Sequence, residues 1–293
     1  MWCSRCGSSY KDSYTNVLVL AKISGLKTVS RTDTTAKISW NKNPNADGYI
    51  IEQYSGSRWM LIARITSNST VSFTAKTLVA GSTNKLRARA YKGTVYSAYT
   101  YININTAPSA ITGFTLKNAT SSTLNVAWDR NTSGDGYILD KYDGSKWVTI
   151  KTFTSNANTS FNVTGLKAST TFKFRLRAYK NFGSAKEYSA FTYLNVNTRP
   201  YTTTGFKMKS ATKNAITLQW NKNVSASGYC IEKWDGSKWV QIKRYTSNAN
   251  VTYTATGLKA NTAYKFRIRA YKTIGNVNEY SAYSAVVTAR TKK

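Results

Sequence analysis

Residues 165–180 read GLKASTTFKFRLRAYK, and apolar and basic side chains alternate strictly from position 172 to position 178. The apolar parity holds Phe172, Phe174, Leu176 and Ala178, and the basic parity holds Lys173, Arg175 and Arg177. A period of two predicts a β-strand with one buried face and one solvated face. The pattern recurs at residues 264–270 and, in a weaker form, at residues 84–90. The sequence therefore predicts three copies of one half-buried strand.

Other residues and short motifs outside this strand recur at the same sequence spacings. Trp40, Trp128 and Trp220 are separated by 88 and 92 residues, and a glycine–tyrosine pair and an arginine–alanine–tyrosine triplet keep the same two spacings. Such self-similarity is typical of tandem domains. We expect a leader or boundary segment at residues 1–21 and three repeats, called repeats one, two and three, at residues 22–106, 107–198 and 199–293.

The strand and turn signals within each repeat indicate the fold class. About seven short strands with turns at close intervals are typical of an antiparallel β-sandwich. The joints between repeats are short, and Pro108 and Pro200 stiffen them. The sequence therefore predicts an all-β protein made of three tandem β-sandwiches in an elongated array.

Each repeat resembles a fibronectin type III domain, an immunoglobulin-like sandwich. The resemblance rests on a tryptophan in the second strand, a glycine–tyrosine pair opening the third, and a corner motif leading into the sixth. The clearest corner motif consists of Leu258, Ala260, Thr262 and Tyr264. In repeat one, Asn84 replaces the corner aromatic, so a tyrosine corner contact is not expected there.

A second motif, YSAY at residues 96–99 and 280–283 and YSAF at residues 188–191, follows the arginine–alanine–tyrosine triplet. It resembles versions found in surface and secreted proteins of Gram-positive gut bacteria. The resemblance implies a spacer or adhesion module and names no ligand.

The charge balance is strongly basic. The chain has 42 lysine and arginine residues against 12 acidic ones, a net charge of +30, and residues 199–293 alone carry +14. Such a surface attracts polyanions, although a solvated coat that keeps the protein soluble is the alternative. The expected partner is an anionic polymer or a cell-wall glycan, and other proteins are a further class. The sequence does not indicate an oligomeric state.

Aromatic residues accompany the basic stripe at the hairpin that follows the third strand. Val148 and Ile150 take the inward parity, so Trp147 points outward beside Tyr142. Rings flanked by cations suit stacking on sugars or bases, but aromatic cross-strand pairs that stabilise a sheet are common and are the favoured interpretation. The candidate ligand-binding residues are Tyr54, Trp59, Tyr142, Trp147, Trp234, Trp239, Lys173, Arg175, Arg177, Lys265, Arg267 and Arg269.

Catalysis has little support in the sequence. The chain contains no histidine, the commonest general base. Asp140 corresponds to Glu52 and Glu232, and an acid repeated in every repeat favours a structural role. We therefore expect no enzymatic activity and no cofactor.

The three cysteines give a weak metal signal. Cys3 and Cys6 form a CSRC pair, which is half of a zinc site or a dithiol without a structural role, and Cys230 stands alone on a strand. We expect no metal ion.

No signal peptide or transmembrane segment is visible, because the apolar run VLVLA at residues 17–21 is too short for either. The chain is therefore expected to be a fragment of a longer protein or not to be exported by the signal-peptide route. We expect a secreted or cell-surface, non-catalytic spacer and adhesion module. The alternatives are a polyanion- or carbohydrate-binding module for glycan, teichoic acid or nucleic acid, and accessory domains of a larger secreted glycoside hydrolase.

Overall fold

A computed structural model describes residues 19–293. Every regular element in this range is a β-strand, and no helix within it has the length and apolar composition needed to cross a bilayer. The candidate half-site Cys3 and Cys6 lies outside the described residues, as does most of the expected leader.

Eight strands form in each repeat. Repeat one contains β1 (Lys27–Arg31), β2 (Ala36–Ser39), β3 (Gly48–Tyr54), β4 (Trp59–Ile65), β5 (Ser72–Ala75), β6 (Thr83–Lys92), β7 (Val95–Tyr96) and β8 (Thr100–Asn105). Repeat two contains β9 (Thr115–Ala119), β10 (Leu124–Ala127), β11 (Gly136–Tyr142), β12 (Trp147–Phe153), β13 (Ser160–Val163), β14 (Thr171–Phe182), β15 (Ala185–Tyr188) and β16 (Thr192–Asn197). Repeat three contains β17 (Lys207–Ala211), β18 (Ile216–Gln219), β19 (Gly228–Trp234), β20 (Trp239–Tyr245), β21 (Thr252–Ala255), β22 (Ala263–Ile274), β23 (Val277–Tyr280) and β24 (Val287–Arg290).

The strands of each repeat form one three-stranded and one five-stranded antiparallel sheet. In repeat two the small sheet has the order β9-β10-β13, and the large sheet has the order β12-β11-β14-β15, with β16 also paired to β14. Repeats one and three have the same topology. The prediction of three all-β sandwiches is confirmed.

The alternating strand lies in the middle of each large sheet. In repeat two, Phe174, Leu176 and Ala178 of β14 are fully buried, and β14 pairs with β11 on one side and with β16 and β15 on the other. The apolar parity therefore faces the small sheet, and the basic parity forms the outer face.

The repeated glycine–tyrosine pair has a packing reason. A Cβ at Gly136 would lie 2.0 Å from the carbonyl oxygen of Phe153, so only glycine fits there. The ring of the buried Tyr137 packs on Trp128 with centroids 5.5 Å apart. Its hydroxyl accepts a hydrogen bond from Asn131 N at 2.8 Å and donates one to Asn156 O at 3.0 Å.

The corner before the central strand differs among the repeats. In repeat three, Lys259 N donates to the Tyr264 hydroxyl at 2.9 Å. In repeat one, Val79 N donates to Asn84 Oδ1 at the same distance. Although the tyrosine contact is missing in repeat one, as expected, the asparagine amide takes over its hydrogen-bonding role.

The chain divides into two compact units, Met1–Pro108 and Ser109–Lys293. Within the second unit, side chains connect repeats two and three beyond their covalent joint. Ser169 Oγ donates to Ser225 O at 2.6 Å, and Asn197 Nδ2 donates to Glu279 Oε1 at 3.3 Å.

Candidate functional site

The predicted aromatic and basic residues meet on the outer face of each large sheet. In repeat two, strand register places Trp147 opposite Tyr142 and Arg175 opposite Asp140. The ring centroids of Tyr142 and Trp147 lie 5.4 Å apart. The equivalent pairs Tyr54–Trp59 and Trp234–Trp239 have separations of 5.3 and 5.5 Å.

The hairpin register differs in one respect from strict alternation. A β-bulge between Leu139 and Asp140 shifts the pairing of β11 with β12. As a consequence Phe153, which shares the parity of Trp147, is buried in the core. Ile150 is partly buried and packs against the same core. Val148, expected to face inward, is exposed at the hairpin end.

The two arginines of the basic parity lie between aromatic rings. The guanidinium carbon of Arg175 is 4.8 Å from the Trp147 centroid and 3.9 Å from that of Phe191. Arg177 lies 4.7 Å from Phe191 and 4.0 Å from Tyr188. We call this alternation of rings and guanidinium groups the ladder.

Repeats one and three build the same ladder. In repeat three, Arg267 lies between Trp239 and Tyr283, at 4.4 and 3.7 Å from their centroids. Arg269 then lies between Tyr283 and Tyr280. In repeat one the ladder consists of Trp59, Arg87, Tyr99, Arg89 and Tyr96.

The acids opposite the ladders of repeats two and three are buried, and Glu52 of repeat one is half-buried. Asp140 is only 4% exposed, and Arg175 Nε lies 2.8 Å from its Oδ2. Glu232 is 7% exposed and lies 2.6 Å from Arg267 Nη2. The arginine therefore neutralises a carboxylate and at the same time covers an aromatic face.

A hydroxyl satisfies the second oxygen of each acid. Tyr283 donates to Glu232 Oε1 at 2.5 Å, and Tyr99 donates to Glu52 Oε1 at 3.1 Å. Burial, together with the neighbouring glutamate, raises the pKa of Tyr283 and of Tyr99 above their ordinary value.

Arg87 and Arg89 and six aromatic rings of the ladders were not among the sequence-predicted site residues; the two arginines have the same basic parity as Arg175 and Arg177. The six rings are Tyr96, Tyr99, Tyr188, Phe191, Tyr280 and Tyr283. Each ring is the first or the last residue of a YSAY or YSAF motif. The recurrence of aromatic residues at these two positions was the signal that could have identified them.

The lysines at the start of the basic parity have different surroundings. Lys173 and Lys265 are exposed, and Lys173 Nζ lies 5.7 Å from the Tyr142 centroid. Tyr193, whose ring meets Trp147 at 5.8 Å, is 61% exposed. The site is therefore a sheet face held by internal contacts, with lysines and a tyrosine at its border.

Asp135 is a second acid of repeat two that makes structural contacts. It accepts hydrogen bonds from Lys180 Nζ at 2.6 Å and from Asn181 N at 2.9 Å. Burial opposes ionisation, but the hydrogen bond from Lys180 and the Asn181 backbone N–H lower the pKa of Asp135 overall.

Within residues 19–293, no three His, Cys, Asp or Glu side chains are grouped for a metal ion.

Parts of several known proteins are similar to this chain. Exoglucanase B of Cellulomonas fimi is 28% identical over 90% of this chain and 25% of its own length. Chitinase A1 of Niallia circulans is 26% identical over 63% of this chain and 26% of its own length. Among solved structures, a two-domain fibronectin type III segment of chicken tenascin is 20% identical, covers 60% of this chain and 99% of its own, and has a TM-score of 0.43.

This chain thus spans about a quarter of the length of either curated relative. The family model of the fibronectin type III domain matches residues 108–193 and 201–287. Because these two ranges cover more than half of the sequence, the chain belongs to the fibronectin type III domain family.

Proposed function

We propose that the chain is a non-catalytic, extracellular or cell-surface spacer and adhesion module. The ion pair between each acid and an arginine of the ladder supports the non-catalytic part of the proposal. In all three repeats the acid of the third strand is bound by an arginine of the central strand. A carboxylate neutralised in this way is poorly suited to act as a general acid or base.

The relatives support an accessory role next to a larger enzyme. By their names they act on glucan and on chitin, and the part that resembles this chain is about a quarter of each. Both polymers lie outside cells, which supports a secreted or surface location. An origin in a Gram-positive gut bacterium, which the sequence motif implies, stays a prediction.

Hydrolysis assays on the purified chain test the proposal. We expect no turnover of a panel of nitrophenyl glycosides and esters, of carboxymethylcellulose or of glycol chitin. The proposal fails if turnover is found and is lost in Asp140→Asn or Glu232→Gln while circular dichroism shows that the variant is folded.

Binding of an anionic polymer is a second candidate, although the comparisons do not favour it. It is supported by the exposure of Lys173 and Lys265 beside the ladder. If heparin binds there, the logarithm of the affinity should fall linearly with the logarithm of the salt concentration. Lys173→Ala with Lys265→Ala should then weaken binding and flatten that slope, and an unchanged slope would exclude these lysines.

A further inference from the structure

The corner position before the central strand is filled by a ring in two repeats. Lys141 Nζ lies 5.8 Å from the Phe172 centroid in repeat two. Lys233 Nζ lies 5.5 Å from the Tyr264 centroid in repeat three. In both repeats a lysine of the third strand therefore extends over the ring at this corner.

Repeat one has neither the ring nor the lysine. Asn84 stands at the ring position and Gln53 at the lysine position. The Asn84 amide is buried and turned into the loop, where it accepts from Val79 N at 2.9 Å and donates to Val79 O at 3.1 Å. A cavity of about 320 Å³ lies beside Asn84, with Gln53, Tyr54, Thr83 and Lys85 in its walls.

Two of the side chains that line this cavity carry polar groups without a hydrogen-bond partner in the described part of the protein. Within residues 19–293, neither the Gln53 amide nor the Tyr54 hydroxyl makes a hydrogen bond. Lys85 Nζ lies 5.8 Å from the Tyr54 centroid, and Trp59 supports the same ring at 5.3 Å. The cavity thus presents an aromatic ring held in place, together with an amide that can both donate and accept.

We propose that this cavity of repeat one is a binding site for a neutral saccharide of one or two rings. The Tyr54 ring offers an apolar surface for the C–H face of a sugar, and its hydroxyl and the Gln53 amide match sugar hydroxyls. A volume of about 320 Å³ is at the lower end of the range for ligand sites, roughly 300–1,000 Å³. This site lies beyond the proposed spacer function and does not depend on it.

Titration of the full chain with cellotriose and with N-acetylchitotriose, followed by calorimetry and by NMR, tests the site. The double variant Gln53→Lys with Asn84→Phe rebuilds the corner of repeat two, and we expect it to bind at least about tenfold more weakly. Tyr54→Ala should weaken binding by about two- to tenfold. Tyr142→Ala, the matched change in repeat two, should leave the affinity unchanged.

Gln53→Lys alone is the second test should the double variant not fold, because it blocks the cavity without touching the Asn84 hydrogen bonds. We expect the same loss from it. The proposal is overturned by wild-type affinity in the folded double variant or in Gln53→Lys, by equal losses in Tyr54→Ala and Tyr142→Ala, or by no binding of either sugar at millimolar concentration. Tighter, salt-dependent binding of an oligogalacturonate would overturn the assignment of a neutral ligand.

Discussion

Repeats two and three bury the same kind of acid in two different ways. In repeat three, Glu232 binds Arg267 with one oxygen and accepts from the Tyr283 hydroxyl with the other. In repeat two the residue at the place of Tyr283 is Phe191, which has no hydroxyl. Asp140 instead accepts from Thr149 Oγ1, across the hairpin, at 2.7 Å.

The difference shows what a buried carboxylate requires. An acceptor oxygen left unpaired in the interior costs about 1–3 kcal/mol, so both oxygens need a donor. The longer glutamate reaches the tyrosine, whereas the shorter aspartate reaches a threonine in the neighbouring strand. Repeat one follows repeat three, with Glu52 and Tyr99, and has the apolar Leu61 opposite the acid.

The largest effect is expected from removing the arginine. Arg175→Ala leaves the buried Asp140 without its cation, which should lower the stability of repeat two by about 3–5 kcal/mol. Native-state hydrogen exchange of the β14 amides measures this loss for one repeat within the full chain. If β14 lost less than about 1 kcal/mol of protection while β22 was unaffected, the burial of this pair would not matter for stability.

A smaller effect should follow from removing the hydroxyl donor of repeat two. Thr149→Leu leaves one Asp140 oxygen unpaired, and we expect a loss of about 1–3 kcal/mol in the same exchange measurement. Gln241→Leu is the matched control, since Gln241 lies opposite Glu232 and the Tyr283 hydroxyl already satisfies that acid. Equal losses in the two variants would remove the distinction between the repeats.

The smallest effect concerns alkaline pH. The pKa of Tyr283 is raised in the folded state above its ordinary value of 10.0, chiefly by burial and then by the hydrogen bond to Glu232. Its contribution to stability is therefore complete below pH 10.0 and is lost as the pH rises through the folded-state pKa. Tyr283→Phe should reduce the fall in melting temperature between about pH 8 and about pH 11. An unchanged fall would show that folding does not raise the pKa of this hydroxyl.

Much of the fold could be predicted from the sequence. The alternation in residues 172–178 identified the central strand, and the recurring tryptophans gave the number of sandwiches, because both patterns report local burial. The β-bulge between Leu139 and Asp140 could not be predicted, since an extra residue in β12 leaves no mark in the residue types. For that reason Val148 was expected inside, and the burial of Phe153 was not foreseen.

The candidate site was predicted in part. Parity placed Trp147, Tyr142 and the arginines on one face, which the strand register bears out. The rings that cover the other side of each arginine, such as Phe191, come from a segment whose path over the sheet no periodicity describes. The repeat-one cavity depends on how far a loop approaches Asn84, a tertiary property that is not encoded in the spacing of residues.

A variant of repeat two that carries the acid and the hydroxyl donor of repeat one tests the structural role of these acids most directly. The triple variant Asp140→Glu, Thr149→Leu and Phe191→Tyr recreates the arrangement of Glu52, Leu61 and Tyr99. Hydrogen exchange of β14 should show that it recovers to within about 1 kcal/mol of the unmodified chain, although Thr149→Leu alone loses about 1–3 kcal/mol. A triple variant no more stable than Thr149→Leu would contradict the account.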